Sequence, residues 1–248
     1  MEEVIRVENL SKSYGRIRAV DNFSFSVRSG TVFGLLGANG AGKSTVIECV
    51  LGTRKADNGT ISVMGMNPVS DRKTLFEQVG VQFQQSYFQE NIKVGELCEV
   101  TASLYRLPAE YKTLLRRLGI DDKAEKPVKE LSGGEQQRLF IVLALIPDPK
   151  VVFLDELTTG LDARARRKVW MILEELKKEG LTILLTSHFM DEVEVLCDEI
   201  CILKAGRPVF SGSVKEAIRQ SPHERFEDAY LWFSDDEGDK DEDIRNDS

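Results

Sequence analysis

The stretch Gly37-Ala38-Asn39-Gly40-Ala41-Gly42-Lys43-Ser44 constrains the fold more than any other feature of this chain. It fits the pattern G-x-x-x-x-G-K-[ST]. The short apolar run Thr31-Val32-Phe33-Gly34-Leu35-Leu36 leads straight into it, and Thr45-Val46-Ile47-Glu48-Cys49-Val50-Leu51 reads as the helix that follows, stopping at Gly52. A strand, a glycine loop and a helix in that order turn several main-chain N–H groups toward one point. The glycines supply positive φ, and the helix beginning near Lys43 aims its positive end at the same place. Lys43 adds a mobile cation, and Ser44 a hydroxyl ligand for Mg²⁺. The ligand that suits such a cradle is ATP, with its phosphates held across residues 37–45. A chance match to the pattern is expected in about one chain per hundred, and the flanking strand and helix argue further against coincidence.

The rest of the chain reads as an α/β layered protein. Ile5 and Val7, then Phe23, Phe25 and Val27, alternate with polar residues, as antiparallel strands do. Ile61 and Val63 suggest another strand after Asn58-Gly59. From about residue 91 to 146 the spacing turns helical, with Val94, Leu97, Val100 and Leu104, then Leu114, Leu115 and Leu118 before Gly119. Val151-Val152-Phe153-Leu154, Leu181-Thr182-Ile183-Leu184-Leu185 and Ile200-Cys201-Ile202-Leu203 are continuous apolar runs, expected of buried parallel strands. Val169, Ile172, Leu173 and Leu176 mark one face of a helix ending at Gly180.

Two further segments carry chemistry. The run ending at Leu154 delivers Asp155 and Glu156 where ligands sit in open α/β sheets, at the C-terminal end of a strand. Asp155 is placed to hold Mg²⁺, directly or through water, and Glu156 to orient or deprotonate an attacking water. In Leu131-Ser132-Gly133-Gly134-Glu135-Gln136-Gln137-Arg138, Ser132 and Glu135 form an S-x-x-E capping box. That pairing does not account for two successive glycines, which weaken a helix start. They suit a helix N-terminus whose backbone closely approaches an anion, and the γ-phosphate is the anion at hand.

With these residues in view, the chain resembles the ATP-binding cassette (ABC) ATPases over about residues 3–233. Leu-Ser-Gly-Gly-Glu-Gln at 131–136 is similar to that family's signature, at the family's usual separation from the phosphate loop and Glu156. The resemblance implies further roles: Tyr14 as the aromatic stacked on adenine, Gln84 as the glutamine touching Mg²⁺ and the attacking water, and Asp162 in Thr159-Gly160-Leu161-Asp162 as the loop that crosses a dimer interface. It implies His188 as the switch histidine at the γ-phosphate. The fold implied is a P-loop NTPase with a RecA-like parallel-sheet core, an N-terminal antiparallel β subdomain and an α-helical subdomain inserted at about 86–146, all within an ATPase domain of 1–233. Nucleotide contacts would come from Tyr14, Gly37, Asn39, Gly40, Ala41, Gly42, Lys43, Ser44, Thr45, Ser132, Gly133, Gly134 and Asp162. Catalysis would rest on Glu156, His188, Gln84 and Lys43, and Mg²⁺ on Ser44, Gln84 and Asp155. One departure is visible: after Asp155-Glu156 the family usually has proline, and Leu157 stands here.

The resemblance also implies partners. Two copies would pack head to tail around two Mg-ATP, and a separate transmembrane permease subunit would dock beside Gln84 and the helical insertion, with Tyr87 and Phe88 as candidate contacts. Val79-Gly80-Val81-Gln82-Phe83-Gln84 and Phe226-Glu227-Asp228-Ala229-Tyr230-Leu231 look most like the drug- and antibiotic-exporter branch. The alternative is a non-transport ABC ATPase acting on nucleic acid or ribosomes, but such proteins carry long coiled coils, zinc modules or two cassettes in one chain.

Charge speaks against nucleic acid as well. The net charge is −8, and residues 235–248 hold eight acidic and two basic side chains, so most of the acidity belongs to the tail. The body is close to neutral and has no long basic run. Residues 234–248 are expected to be a disordered, solubilising end. The longest apolar run, residues 139–146, is far short of the ~20 needed to span a bilayer. With no secretory signal at the start, the expected location is cytoplasmic, on the inner face of the membrane through the permease. Cys49, Cys98, Cys197 and Cys201 are expected as reduced thiols; Cys197 and Cys201 are spaced like one helical turn, with no second pair to complete a zinc set.

Overall fold

The structure, a computed structural model, describes residues 2–82, 88–89 and 91–234. It opens with two twelve-residue strands, β1 (Glu3–Tyr14) and β2 (Ile17–Arg28), paired antiparallel. Next come β3 (Val32–Leu36), α1 (Lys43–Val50), β4 (Asn58–Val63), α2 (Arg72–Phe76) and β5 (Val79–Gln82). A helical stretch follows with α3 (Val94–Ala102), α4 (Tyr111–Arg117), two short 3₁₀ turns and α5 (Gly133–Leu145). The remaining elements are β6 (Val151–Asp155), α6 (Ala163–Lys178), β7 (Thr182–Thr186), α7 (Met190–Leu196), β8 (Glu199–Lys204), β9 (Arg207–Gly212), α8 (Val214–Gln220) and α9 (Phe226–Ser234).

These strands make two sheets. The smaller is antiparallel in the order β2-β1-β4, and the larger runs β5-β6-β7-β3-β8-β9. Its first five strands are parallel and β9 returns antiparallel to β8. Strand alternation divides the large sheet's side chains between its two faces. Phe33, Leu35, Val151, Phe153 and Leu184 pack with Ile5, Leu10, Phe23 and Phe25 of the small sheet and with Val46, Ile47 and Val50 of α1. Phe25 bridges the two sheets, stacked on Phe23 at 5.0 Å and on Phe33 at 5.2 Å. The intervening residues Val32, Val152, Leu154, Ile183 and Leu185 face the other way, onto α3, α4, α5 and α6. Every one of these strand residues is buried, which explains why the strands read as unbroken apolar runs.

Two expectations from spacing change. Helix α3 buries Val94, Leu97 and Cys98, while Val100 is 56% and Leu104 72% exposed. At about 100° per residue, Val100 falls outside the arc of the three buried positions, and Leu104 lies beyond the helix end. Cys197 caps α7 whereas Cys201 sits inside β8, so their spacing is not a helical turn. Among the described residues no helix is long and apolar enough to cross a membrane.

Candidate active site

The large sheet gathers the site at the C-terminal ends of β3, β6 and β7. Beyond β3 the chain turns through Gly37, Gly40 and Gly42, with φ of 147°, 81° and 108°. Gly42 also answers to close approach: a Cβ there would stand 2.4 Å from the Ala19 carbonyl oxygen. Helix α1 starts at once, with no side-chain cap at Gly42. Among the described residues the main-chain amides of Gly40, Gly42, Lys43 and Ser44 donate to no protein acceptor. Lys43 is 6% exposed and curls back so that Nζ donates to the Gly37 oxygen at 2.7 Å and the Ala38 oxygen at 3.2 Å. Burial lowers its pKa from the ordinary 10.5, against the pull of Glu156 and Asp155. A ring of free amides around a buried cation fits a polyphosphate, and the exposed Ser44 hydroxyl and the Asp155 carboxylate fit its Mg²⁺.

Register brings the acidic pair into place. Asp155 on β6 lies opposite Thr186 on β7, and Thr186 Oγ1 donates to Asp155 Oδ1 at 2.6 Å. The Asp155 amide donates to Gln82 Oε1 on β5 at 3.2 Å. One residue on, Glu156 adopts φ 51°, uncommon for a non-glycine residue. Its amide is shared between the Thr186 carbonyl oxygen at 3.2 Å and Thr186 Oγ1 at 3.1 Å, which holds the strained turn. The turned side chain meets His188 two residues beyond β7, Glu156 Oε1 against His188 Nε2. The Glu156 side chain is 10% exposed and that of His188 35%. A carboxylate so oriented is suited to take a proton from water, and the half-open imidazole beside it to face a ligand.

Ser132, Gly133, Gly134 and Asp162 come together elsewhere. They line a cleft of about 430 Å³ with Gly160, Leu161, Arg138, Arg164 and Lys168, and no phosphate-loop residue lines it. Ser132 caps α5 through the reciprocal box with Glu135, whose carboxylate accepts the Ser132 amide at 2.9 Å. Asp162 caps α6, accepting the Arg164 and Ala165 amides at 2.9 Å. Glycine at 134 has an internal reason as well: a Cβ there would come within 3.2 Å of the Ala165 Cβ. Tyr14 stands 40% exposed at the end of β1, with the Arg54 guanidinium 5.3 Å from its ring centre and Lys12 Nζ 5.8 Å away. Its hairpin reaches the phosphate loop through Asp21, whose amide donates to Gly206, and Gly206, whose amide donates to Ala41. Gln84, Tyr87 and the acidic tail lie outside the described residues.

Residues 20–159 match the ABC transporter family. The chain belongs to the ABC transporter family. Its relatives include the Nod factor export ATP-binding protein I of Ralstonia nicotianae, 41% identical over 87% of this chain and 68% of that one. The same-named protein of Sinorhizobium fredii is 44% identical over 84% of this chain and 62% of that one. Among solved structures, an ATP-binding subunit of an ABC transporter superposes with a TM-score of 0.83 at 27% identity, covering 93% of this chain and 99% of its own. An ABC transporter cassette in its ADP conformation gives 0.78 at 25% identity, over 93% and 99%. The chain is an ABC ATPase: it binds and hydrolyses ATP.

In this ABC ATPase the residue after the acidic pair has a structural task. Leu157 is 3% exposed and packs with Leu154, Val169 and Leu173. Thr186 and Gln82, which anchor the acidic pair, carried no mark in the sequence. Thr186 merely ends an apolar run and Gln82 stands in a glutamine-rich stretch; the one available signal was a polar residue at the last position of a buried strand.

Proposed function

We propose that this chain is the ATP-hydrolysing subunit of an ABC exporter and works as a head-to-tail pair. The observation that carries the reading is the separation within one chain of two complementary half-sites. The phosphate loop gathers Lys43, Asp155, Glu156 and His188, while Ser132, Gly133, Gly134 and Asp162 line a cleft of their own. The helix start at Gly133 suits the γ-phosphate of an ATP held by a second copy. In this reading Gly37, Asn39, Gly40, Ala41, Gly42, Lys43, Ser44 and Thr45 hold the phosphates, and Tyr14 stacks on adenine. Ser44, Asp155 and Gln84 would hold Mg²⁺, which would neutralise phosphate charge. Glu156 takes the proton of the attacking water and His188 faces the γ-phosphate.

The exporter role follows the relatives' names, and substrate choice would lie in a separate transmembrane permease. The helical insertion at about 86–146 is the proposed docking region: it exposes Val100, Leu104 and Leu107, the last by 86%. Phe88, a candidate contact there, packs against Phe140 with ring centres 5.7 Å apart, so it serves the insertion's own packing. Through that permease the chain would sit at the inner face of the membrane.

The test is Glu156→Gln, which removes the base and keeps the shape. It should bind ATP, hydrolyse it very slowly, and accumulate as a dimer on ATP addition. A variant that stays monomeric in ATP by light scattering would rule the paired site out.

A further inference from the structure

Glu192 is an acid in the wrong surroundings. It is 3% exposed, and among the described residues no lysine or arginine pairs with it. A buried carboxyl group without a cation is costly unless donors surround it. Donors do, and they come from different parts of the fold. Trp170 Nε1 on α6 donates to Glu192 Oε1 at 2.9 Å, and Ser187 Oγ, from the residue before His188, donates to Glu192 Oε2. Ser187 Oγ in turn accepts the amide of Phe189, the residue after His188, at 3.0 Å. Of the neighbours of His188, Ser187 is therefore fastened to the carboxyl group directly and Phe189 through the Ser187 hydroxyl.

Helix α6 grips the same segment a second time. The Arg166 guanidinium lies 4.4 Å from the Phe189 ring centre and 5.8 Å from that of Trp170, and it pairs with Asp191 at 3.5 Å. This helix begins at its cap Asp162, inside the Ser132 cleft. A chain of contacts thus runs from that cleft along α6, through Trp170 and Glu192 to Ser187, and on to His188 against Glu156. Burial pushes the Glu192 carboxyl group above the usual carboxylate range, against the pull of Ser187, Thr158 and Trp170.

We propose that Glu192 is a positioning residue for hydrolysis: by bridging Trp170 and Ser187 it sets His188 against Glu156 and ties that contact to helix α6. The proposal rests on the reading of His188 and Glu156 as the hydrolytic pair. Movement of α6 when a second copy fills the cleft would then be felt at His188, with no direct contact needed between the two.

The test uses the full chain. Trp170→Phe and Ser187→Ala each remove one donor and keep most of the packing; Glu192→Gln keeps the shape and one acceptor. The chain has two histidines, His188 and His223, and His223 is exposed. The imidazole nitrogen resonances of His188 should shift in Trp170→Phe and Ser187→Ala, lie nearer wild type in Glu192→Gln, and leave those of His223 in place. Turnover should fall about tenfold in the two donor variants, with KM for ATP within about twofold, the pattern of a lost transition-state interaction. Unmoved His188 resonances and wild-type turnover in the folded donor variants would overturn the proposal. If the wild-type chain releases no phosphate from ATP, the hydrolytic reading falls instead, and the spectra still decide whether Glu192 holds His188.

Discussion

Glu156 Oε1 meets His188 Nε2 across a turn that Thr186 holds: its carbonyl and hydroxyl oxygens both accept the Glu156 amide, whose residue has φ 51°. The pair is assembled by strand register, Asp155 opposite Thr186, one residue before Glu156 and two before His188. His188→Ala should leave ATP binding close to wild type and lower turnover about a hundredfold or more, the lower end of what a positioned acid–base group contributes. Steady-state phosphate release beside an equilibrium ATP titration measures both.

Lys43 predicts a pH dependence. Its pKa is lowered from 10.5 by burial, so the charged form that attracts phosphate is lost at a pH below the ordinary lysine value. ATP affinity should be fully present below the lowered pKa and fall as pH rises through it. Stability of the ATP-free chain should move oppositely: the cost of burying the charge weighs on the fold at low pH and is relieved between the lowered pKa and 10.5. ATP titrations from neutral to alkaline pH, repeated on Lys43→Arg, check the sign, because arginine keeps its charge and should remove the alkaline fall.

Ser132 combines a structural role with a proposed binding role, and substitutions can separate the two. Ser132→Ala removes an N-cap and should cost about 1 kcal/mol of stability. Ser132→Asp caps equally well, so stability in urea should return toward wild type. Its negative charge would face the γ-phosphate of the second copy's ATP, and ATP-driven pairing should be lost in light scattering.

Leu157 occupies the position where proline is usual, yet it is a core residue. Leu157→Ala should destabilise the fold by about 2–5 kcal/mol, as expected for a buried leucine. Turnover per folded molecule should change little, because Leu157 touches no reacting group. Urea unfolding and phosphate release at matched folded fractions distinguish the two effects.

The phosphate loop was legible because its requirements are local. Glycines at 37, 40 and 42, then Lys43 and Ser44, must fall within one short loop for its amides to converge on one anion. The apolar runs at β3, β6, β7 and β8 were legible for a similar reason: strands buried on both faces leave few polar positions, and those sit at the strand ends. Glu192 and Thr186 were not. A carboxyl group in the first turn of a helix reads as ordinary helix-end chemistry, and nothing nearby in sequence announces that Trp170 will donate to it from another helix.

What the sequence by itself determined is the list of chemical groups and the elements that carry them: a phosphate loop between strand and helix, an acidic pair at a strand end, and a capped helix start at Ser132. Only the tertiary structure decided which of these share a site. Register across β6 and β7 joined Glu156 to His188, while the packing of α5 on α6 placed Ser132 beside Asp162 in a separate cleft. The reason is physical: hydrogen-bonding period and burial are properties of neighbours in the chain, whereas a shared site depends on which strands pair and which helices cross.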